Sequence, residues 1–255
     1  MKIYRFKHKG KINHGILKEE NLHPVEGSIF RKFRVSKGKI PISEVILLPP
    51  VAPSKIVAVG ANYKNHVREM GRQIPEEPLI FLKPPSSVVG PNDIIIYPKM
   101  SKRVDYEGEL ALVIKKKTCL LKDGDDVEDC ILGYTCFNDV TARDLQLKDG
   151  QFTRAKSFDT FASVGPCIAT DVQPDSLKLK TFLNGKLKQS SSMKNLIFPV
   201  PFLVKFISRI MTLEPGDIIT TGTPAGVGPM SPGDRVDVQI EGIGTLSNTV
   251  MKIKS

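Results

Sequence analysis

The apolar residues of this chain come in short runs, and nearly every run is closed by glycine, proline or an asparagine turn. With 20 glycines and 19 prolines interleaved among them, the chain cannot be built on long helices; its core has to be assembled from many short strands. The pattern predicts strands over Lys55 to Gly60, Leu79 to Leu82, Ile94 to Tyr97, Gly108 to Ile114, Ile131 to Asn138 and Val164 to Ala169. Further strands are predicted over Leu179 to Asn184, closed by an Asn184-Gly185 hairpin turn, and over Asp217 to Thr221, Arg235 to Ile240 and Gly244 to Val250. Helices are fewer: Asn65 to Met70, Val140 to Leu147, and Pro199 to Met211, where Phe202, Phe206, Ile207 and Ile210 fall at helical spacing. The fold class is therefore α+β, and β-rich. A proline cluster at Leu47-Leu48-Pro49-Pro50-Val51-Ala52-Pro53 reads as a linker, which predicts a small N-terminal domain over 1–52 and a main domain over 53–255.

Composition narrows the function classes. Hydrophobic residues at 40% and charged residues at 25% are those of an ordinary globular protein. The N-terminus alternates charge with apolar residues, as no secretory signal does, and no apolar run comes near the roughly 20 residues of a membrane span. These observations predict a cytoplasmic protein without membrane partners. The net charge of +10 is dispersed apart from Lys115-Lys116-Lys117, and no nucleic-acid motif accompanies it, so a nucleic-acid partner is not expected. Cys119, Cys130, Cys136 and Cys167 form no C-x-x-C pair and have no histidine at zinc spacing, which predicts reduced, mostly buried thiols. His8, His14 and His23 read as solvent-exposed.

Chemistry enters at Asp105-Tyr106-Glu107-Gly108-Glu109, directly before the apolar run Leu110 to Ile114. In extended chain Glu107 and Glu109 point to one face, so both carboxylates can converge on one hard cation; the alternative is a pair of exposed strand-end charges. Asp139 follows an apolar strand and precedes a helical pattern, where it is either an N-cap or a third oxygen ligand. Spacing alone favours the cap. Three carboxylates with waters retained are the ligand set of magnesium or manganese. His66 and Glu69 lie three apart on one helical face, a spacing that suits either a surface ion pair or a carboxylate-oriented general base.

Six ordered blocks together resemble the fumarylacetoacetate hydrolase family. They are Val59-Gly60-Ala61-Asn62-Tyr63-Lys64-Asn65-His66, Phe81-Leu82-Lys83-Pro84, Tyr106-Glu107-Gly108-Glu109, Asn138 to Asp144, Ala155 to Asp159, and Thr221-Gly222-Thr223-Pro224-Ala225-Gly226-Val227-Gly228. The resemblance implies a β-roll-like catalytic domain, a homodimer, and a magnesium ion, with manganese or calcium as substitutes, held by Glu107, Glu109 and Asp139. It also implies a small 2-oxo acid substrate, His66 and Glu69 as the catalytic pair, and Lys156 lining the pocket to stabilise an enolate, with a Schiff base the lesser chemical option.

Arg143 and Gln146 are candidate substrate contacts, Arg143 being equally suited to a structural ion pair. The Thr223 loop either receives a substrate carboxylate or is a plain strand connection. The expected reaction is hydrolysis of a carbon–carbon bond in an acylpyruvate. Decarboxylation or isomerisation of an oxo-diacid is the alternative, and a non-enzymatic binding protein is a more distant one. One departure bears on substrate: acylpyruvate-cleaving relatives often carry arginine where this chain has Ala61, and Lys64 or Arg68 are the candidates to replace that charge.

Overall fold

Strand Gly108–Ile114 is buried over its whole length because the sheet it belongs to is covered on both faces. Leu110, Leu112 and Ile114 enter one core with Leu179, Val238, Ile240 and Leu246 of a second sheet and with Leu203 and Ile207 of a helix. Ala111 and Val113 point the other way, into a core with Ile3, Ile56, Phe137, Val164 and Ile218. Burial on both faces turns the usual alternation into a continuous apolar run. At about 25 cal/mol per Å² of apolar surface, each buried leucine, isoleucine or valine of the strand contributes roughly 1.5–3 kcal/mol.

The computed structural model describes residues 1–71 and 73–252. Among these, a 13-stranded sheet carries Gly108–Ile114 between Ile131–Asp139 and Ile218–Thr220, and continues through Ile56–Gly60 to Leu79–Lys83 at its edge. On the other side Ile131–Asp139 pairs with Ala162–Ala169, which pairs with the N-terminal strand Lys2–His8 through Lys2↔Ala169 and Ile3↔Ile168. A five-stranded sheet includes Lys178–Leu183, Lys186–Ser192, Arg235–Ile240 and Gly244–Met251. A three-stranded sheet joins Thr141–Ala142, Val104–Tyr106 and Gly228–Met230. The helices are α1 (Lys64–Glu69), α2 (Arg143–Asp149), α3 (Thr153–Lys156) and α4 (Val200–Ile210). This is the β-rich α+β class, and none of the described helices is long and apolar enough to cross a membrane.

The predicted strands are present with bounds shifted by a residue or two, and Asn184 and Gly185 make the hairpin turn with φ of 50° and 75°. Three expectations fail. The helix after Asp139 starts at Arg143, not Val140, because Thr141 and Ala142 are taken up by pairing with Asp105 and Val104. Helix α4 buries Val200, Leu203, Val204 and Ile207, whereas Phe202 and Ile210 are exposed; its apolar residues cover two faces, and the core takes the one with the β-branched and leucine side chains. His8, His14 and His23 are each half-buried within paired strands, and burial lowers the His14 imidazole below its ordinary value. Cys119 is exposed and Cys130, Cys136 and Cys167 are buried, all as free thiols.

Candidate active site

The antiparallel register Gly108↔Asn138 sets Glu107 across from Asp139, and the Asp139 amide donates to the Glu107 carbonyl at 2.9 Å. Glu109 lies two residues on. Glu107, Glu109 and Asp139 are all buried, and each offers a carboxylate oxygen such that the three lie within 4.8 Å of one another. Asp139 does not cap a helix, since Ala142 occupies the position before α2.

Cations already surround two of the three carboxylates. Lys83 Nζ donates to Asp139 Oδ1 at 2.5 Å, Lys156 Nζ to Asp139 Oδ2 at 2.5 Å and to Glu107 Oε2 at 2.8 Å, and the Arg143 guanidinium to Glu107 Oε1. Burial alone would raise the Glu107 carboxyl; Lys156 and Arg143 reverse this and hold it below the usual carboxylate range. Burial alone would lower Lys156, but Asp139 and Glu107 hold it above its ordinary value. Lys83 is pushed down by burial, against the pull of Asp139. Glu109 is in no ion pair among the described residues, and Lys156 pulls its carboxyl down less than burial and Asp139 push it up. Its Oε2 accepts the Gly222 amide at 2.9 Å, and burial followed by repulsion from Asp139 raises it well above its ordinary value.

A hard divalent cation suits this donor set. It would share oxygens that retain free lone pairs and would give Glu109 the direct ion-pair partner it lacks. Gly222 makes the approach to Glu109 possible. At φ +87° a side chain would be strained, and a Cβ would sit 2.9 Å from that of Asn62.

Arg143 is a structural ion-pair residue in addition to lining the cavity: its Nε donates to the fully buried Asp105 at 2.9 Å and its Nη1 to Gln146 at 2.5 Å. His66 is buried on α1, with Nδ1 3.1 Å from Glu69 Oε2, and Glu69 Oε1 in turn accepts the Gly226 amide at 3.0 Å. Gly226 admits no side chain, since its φ is +95° and a Cβ would lie 2.3 Å from the Lys188 carbonyl oxygen. Glu69 thus orients the imidazole and is itself fixed by the glycine-rich loop. Thr223 Oγ1 accepts from Gln189 Nε2 at 2.8 Å and donates to the Gly108 carbonyl at 2.9 Å, so its proton is committed to the backbone.

One cavity brings together His66, Glu107, Glu109, Asp139, Arg143, Gln146, Lys156 and Thr223. Glu69 is held behind His66 and does not line it. Lys64 and Arg68 are exposed and do not line it either, so neither replaces the charge missing at Ala61. Lys83, Gln189 and Asp105 were not singled out by sequence reasoning. A lysine inside the apolar run before Pro84 was a visible signal for the first; Gln189, in a polar stretch, gave none.

Residues 55–251 match the family model described as fumarylacetoacetate (FAA) hydrolase C-terminal. The chain belongs to the fumarylacetoacetate hydrolase family. Residues 1–50 match a second model, Rv2993c-like, N-terminal. Over 224 residues the chain is 44% identical to oxaloacetate tautomerase of Bacillus subtilis, covering 82% of this chain and 74% of that one. The crystal structure of 2-hydroxyhepta-2,4-diene-1,7-dioate isomerase from Mycobacterium marinum superposes with a TM-score of 0.93 at 42% identity, covering 100% of both chains. Maleylpyruvate hydrolase from Sphingobium sp. SYK-6, in complex with manganese (II) ion and pyruvate, superposes with a TM-score of 0.82 at 30% identity, again over 100% of both. The family is one of enzymes acting on small oxo acids, its members including a tautomerase, an isomerase and a hydrolase, and this member carries a buried acidic triad able to hold a metal ion.

Proposed function

We propose that the protein is a magnesium-dependent enzyme of small 2-oxo acids that hydrolyses a carbon–carbon bond in an acylpyruvate. The observation that carries this reading is the convergence of the Glu107, Glu109 and Asp139 carboxylates and the His66 imidazole on one cavity. Magnesium, or manganese or calcium in its place, would be held by the three carboxylates and would supply Lewis acidity toward a ketone oxygen. Everything else falls to the chain. His66, oriented through Nδ1 by Glu69, uses its other nitrogen to take a proton from water. The hydroxide adds to the distal carbonyl, the adjacent carbon–carbon bond breaks, and the electron pair passes to the pyruvate fragment as its enolate. Lys156, an ammonium within the cavity, faces that negative charge. Proton return to the enolate carbon completes a reaction in which acylpyruvate and water give a carboxylic acid and pyruvate. Arg143 and Gln146 contact the substrate head, and the Thr223 loop receives its carboxylate through backbone amides, the threonine hydroxyl proton being committed elsewhere.

A second reading is favoured by the names of the Bacillus subtilis and Mycobacterium marinum relatives. An enolate formed without water attack, by proton transfer alone in a tautomerase or isomerase or by loss of carbon dioxide in a decarboxylase, would make the protein an enzyme of an oxo-diacid such as oxaloacetate. His66→Ala separates the two. In the hydrolytic reading it abolishes acylpyruvate cleavage and spares oxaloacetate decarboxylation; equal loss of both would mean that His66 does not specifically activate water. The reading extends to a cytoplasmic homodimer in which residues 53–255 form the catalytic domain and 1–52 a small N-terminal domain.

A further inference from the structure

The cavity is chemically divided. Its cationic side chains among the described residues, Arg143 and Lys156, are both tied to the acidic pole, where they pair with Glu107 and Asp139. Leading away from that pole the lining is apolar and continuous. The Phe81 ring lies 5.2 Å from Lys156 Nζ. Phe152 packs edge-on against Phe81 at 5.1 Å between centroids. Leu79 sits beside Phe152 over Gly60, where a Cβ would meet Leu79 at 3.4 Å and Phe152 at 3.5 Å. The strand register explains this continuity: Gly60↔Leu79 and Ala58↔Phe81 are paired, so Leu79 and Phe81 point to the same side of the edge strand. Ala61, Val67 and Met70 add further apolar side chains to the lining, which also includes His66 and Gln146.

We infer that the substrate carries, beyond its 2-oxo acid head, an uncharged apolar group that lies along Phe81, Phe152 and Leu79, and that these three side chains are specificity-determining. This rests on the proposed head-binding role of the acidic pole. The physical reason is desolvation. A second carboxylate moved onto this wall loses its water and, among the described residues, meets only cations already paired with the acidic pole, whereas each methylene buried there gains about 0.8 kcal/mol of transfer free energy, close to a fourfold gain in affinity. The inference separates this chain's substrate from the dioate in the name of its Mycobacterium marinum relative, despite their common fold.

The test is calorimetric binding, in magnesium, of pyruvate, 2-oxohexanoate and 2-oxohexanedioate, with oxalate as a probe of the head site alone. The two six-carbon acids have equal length and differ only in the terminal carboxylate. The expected result is that 2-oxohexanoate binds at least about tenfold more tightly than pyruvate, and 2-oxohexanedioate at least about tenfold more weakly than 2-oxohexanoate. Equal or tighter binding of the diacid overturns the inference while leaving the head site intact, because oxalate still binds. Failure of oxalate and of all three acids removes the proposed function and the inference with it.

Leu79→Arg adds a cation to the wall at a position 43% exposed, where the fold tolerates it. It is expected to raise the affinity ratio of diacid to monoacid by at least about tenfold, with Leu79→Met retaining the wild-type ratio. An unchanged ratio in Leu79→Arg would remove Leu79 from the wall.

Discussion

Two buried carboxylate centres lie on neighbouring strands of the main sheet, and they are built in opposite ways. Asp217, just before strand Ile218–Thr220, is fully buried and fully satisfied: its oxygens accept the Ser54 amide at 3.1 Å, the Ser54 hydroxyl at 2.6 Å, the Lys55 amide at 3.2 Å, the Glu214 amide at 2.8 Å and the Lys55 ammonium. Burial would raise its carboxyl, but Lys55 and Ser54 bring it below the ordinary value. Glu109 is equally buried and lies 1% exposed beside two other acids, with no cation partner among the described residues and its carboxyl raised. The Asp217 centre ties Ser54 and Lys55, just after the proline cluster, to the sheet and asks nothing of a ligand. The Glu109 centre costs the fold stability, and what would offset that cost is a cation from outside. Where a chain keeps a buried carboxylate without an ion-pair partner on a rigid sheet, function is the economical explanation.

Substitutions at the two centres should therefore part company. Glu109→Gln is expected to lower turnover by about 10³-fold or more, the several kcal/mol that Lewis-acid assistance supplies, while leaving the melting temperature unchanged or raised; steady-state kinetics and calorimetric melting check both. His66→Ala, in the same cavity, should reduce carbon–carbon hydrolysis by about 10²–10⁴-fold with decarboxylation retained, measured on the two substrates side by side. Asp217→Asn should do the reverse of Glu109→Gln. Its amide turns two hydrogens toward donors, so stability falls by about 2–3 kcal/mol in denaturant titration and the turnover of the folded enzyme stays at the wild-type level.

The smallest effect is on pH. Because the folded Asp217 carboxyl is depressed, its contribution is present above the unfolded value of about 3.9 and is lost as pH falls through the folded one. Stability followed down through pH 4 should fall less steeply in Asp217→Asn than in wild type; parallel curves would show that the carboxylate is not linked to folding.

The same contrast explains what the sequence made legible. Glu107 and Glu109 could be paired from their spacing because a strand has period two, and Gly108–Ile114 could be bounded because its run is unbroken. Helix α4 could be bounded but not oriented, since apolar residues cover two of its faces and only the tertiary core that Leu203 and Ile207 join decides between them. Asp139 looked like a helix cap because the tertiary pairing that consumes Thr141 and Ala142 leaves no local trace. Lys83 was visible as a charge in an apolar run, yet its partner Asp139 is 56 residues away. Gln189 bonds the Gly108 amide at 3.0 Å and the Thr223 hydroxyl from a different sheet, a contact that no periodicity encodes. Local geometry is written in the chain; contacts between sheets are not.

The most direct test of the central claim is magnesium binding by isothermal titration to wild type, Glu109→Gln and Asp217→Asn, without substrate. One magnesium per chain is expected in wild type and Asp217→Asn, and no measurable binding in Glu109→Gln. Magnesium binding in Glu109→Gln with wild-type affinity, or its absence from the wild-type protein, would contradict the assignment of the acidic cluster as the metal centre.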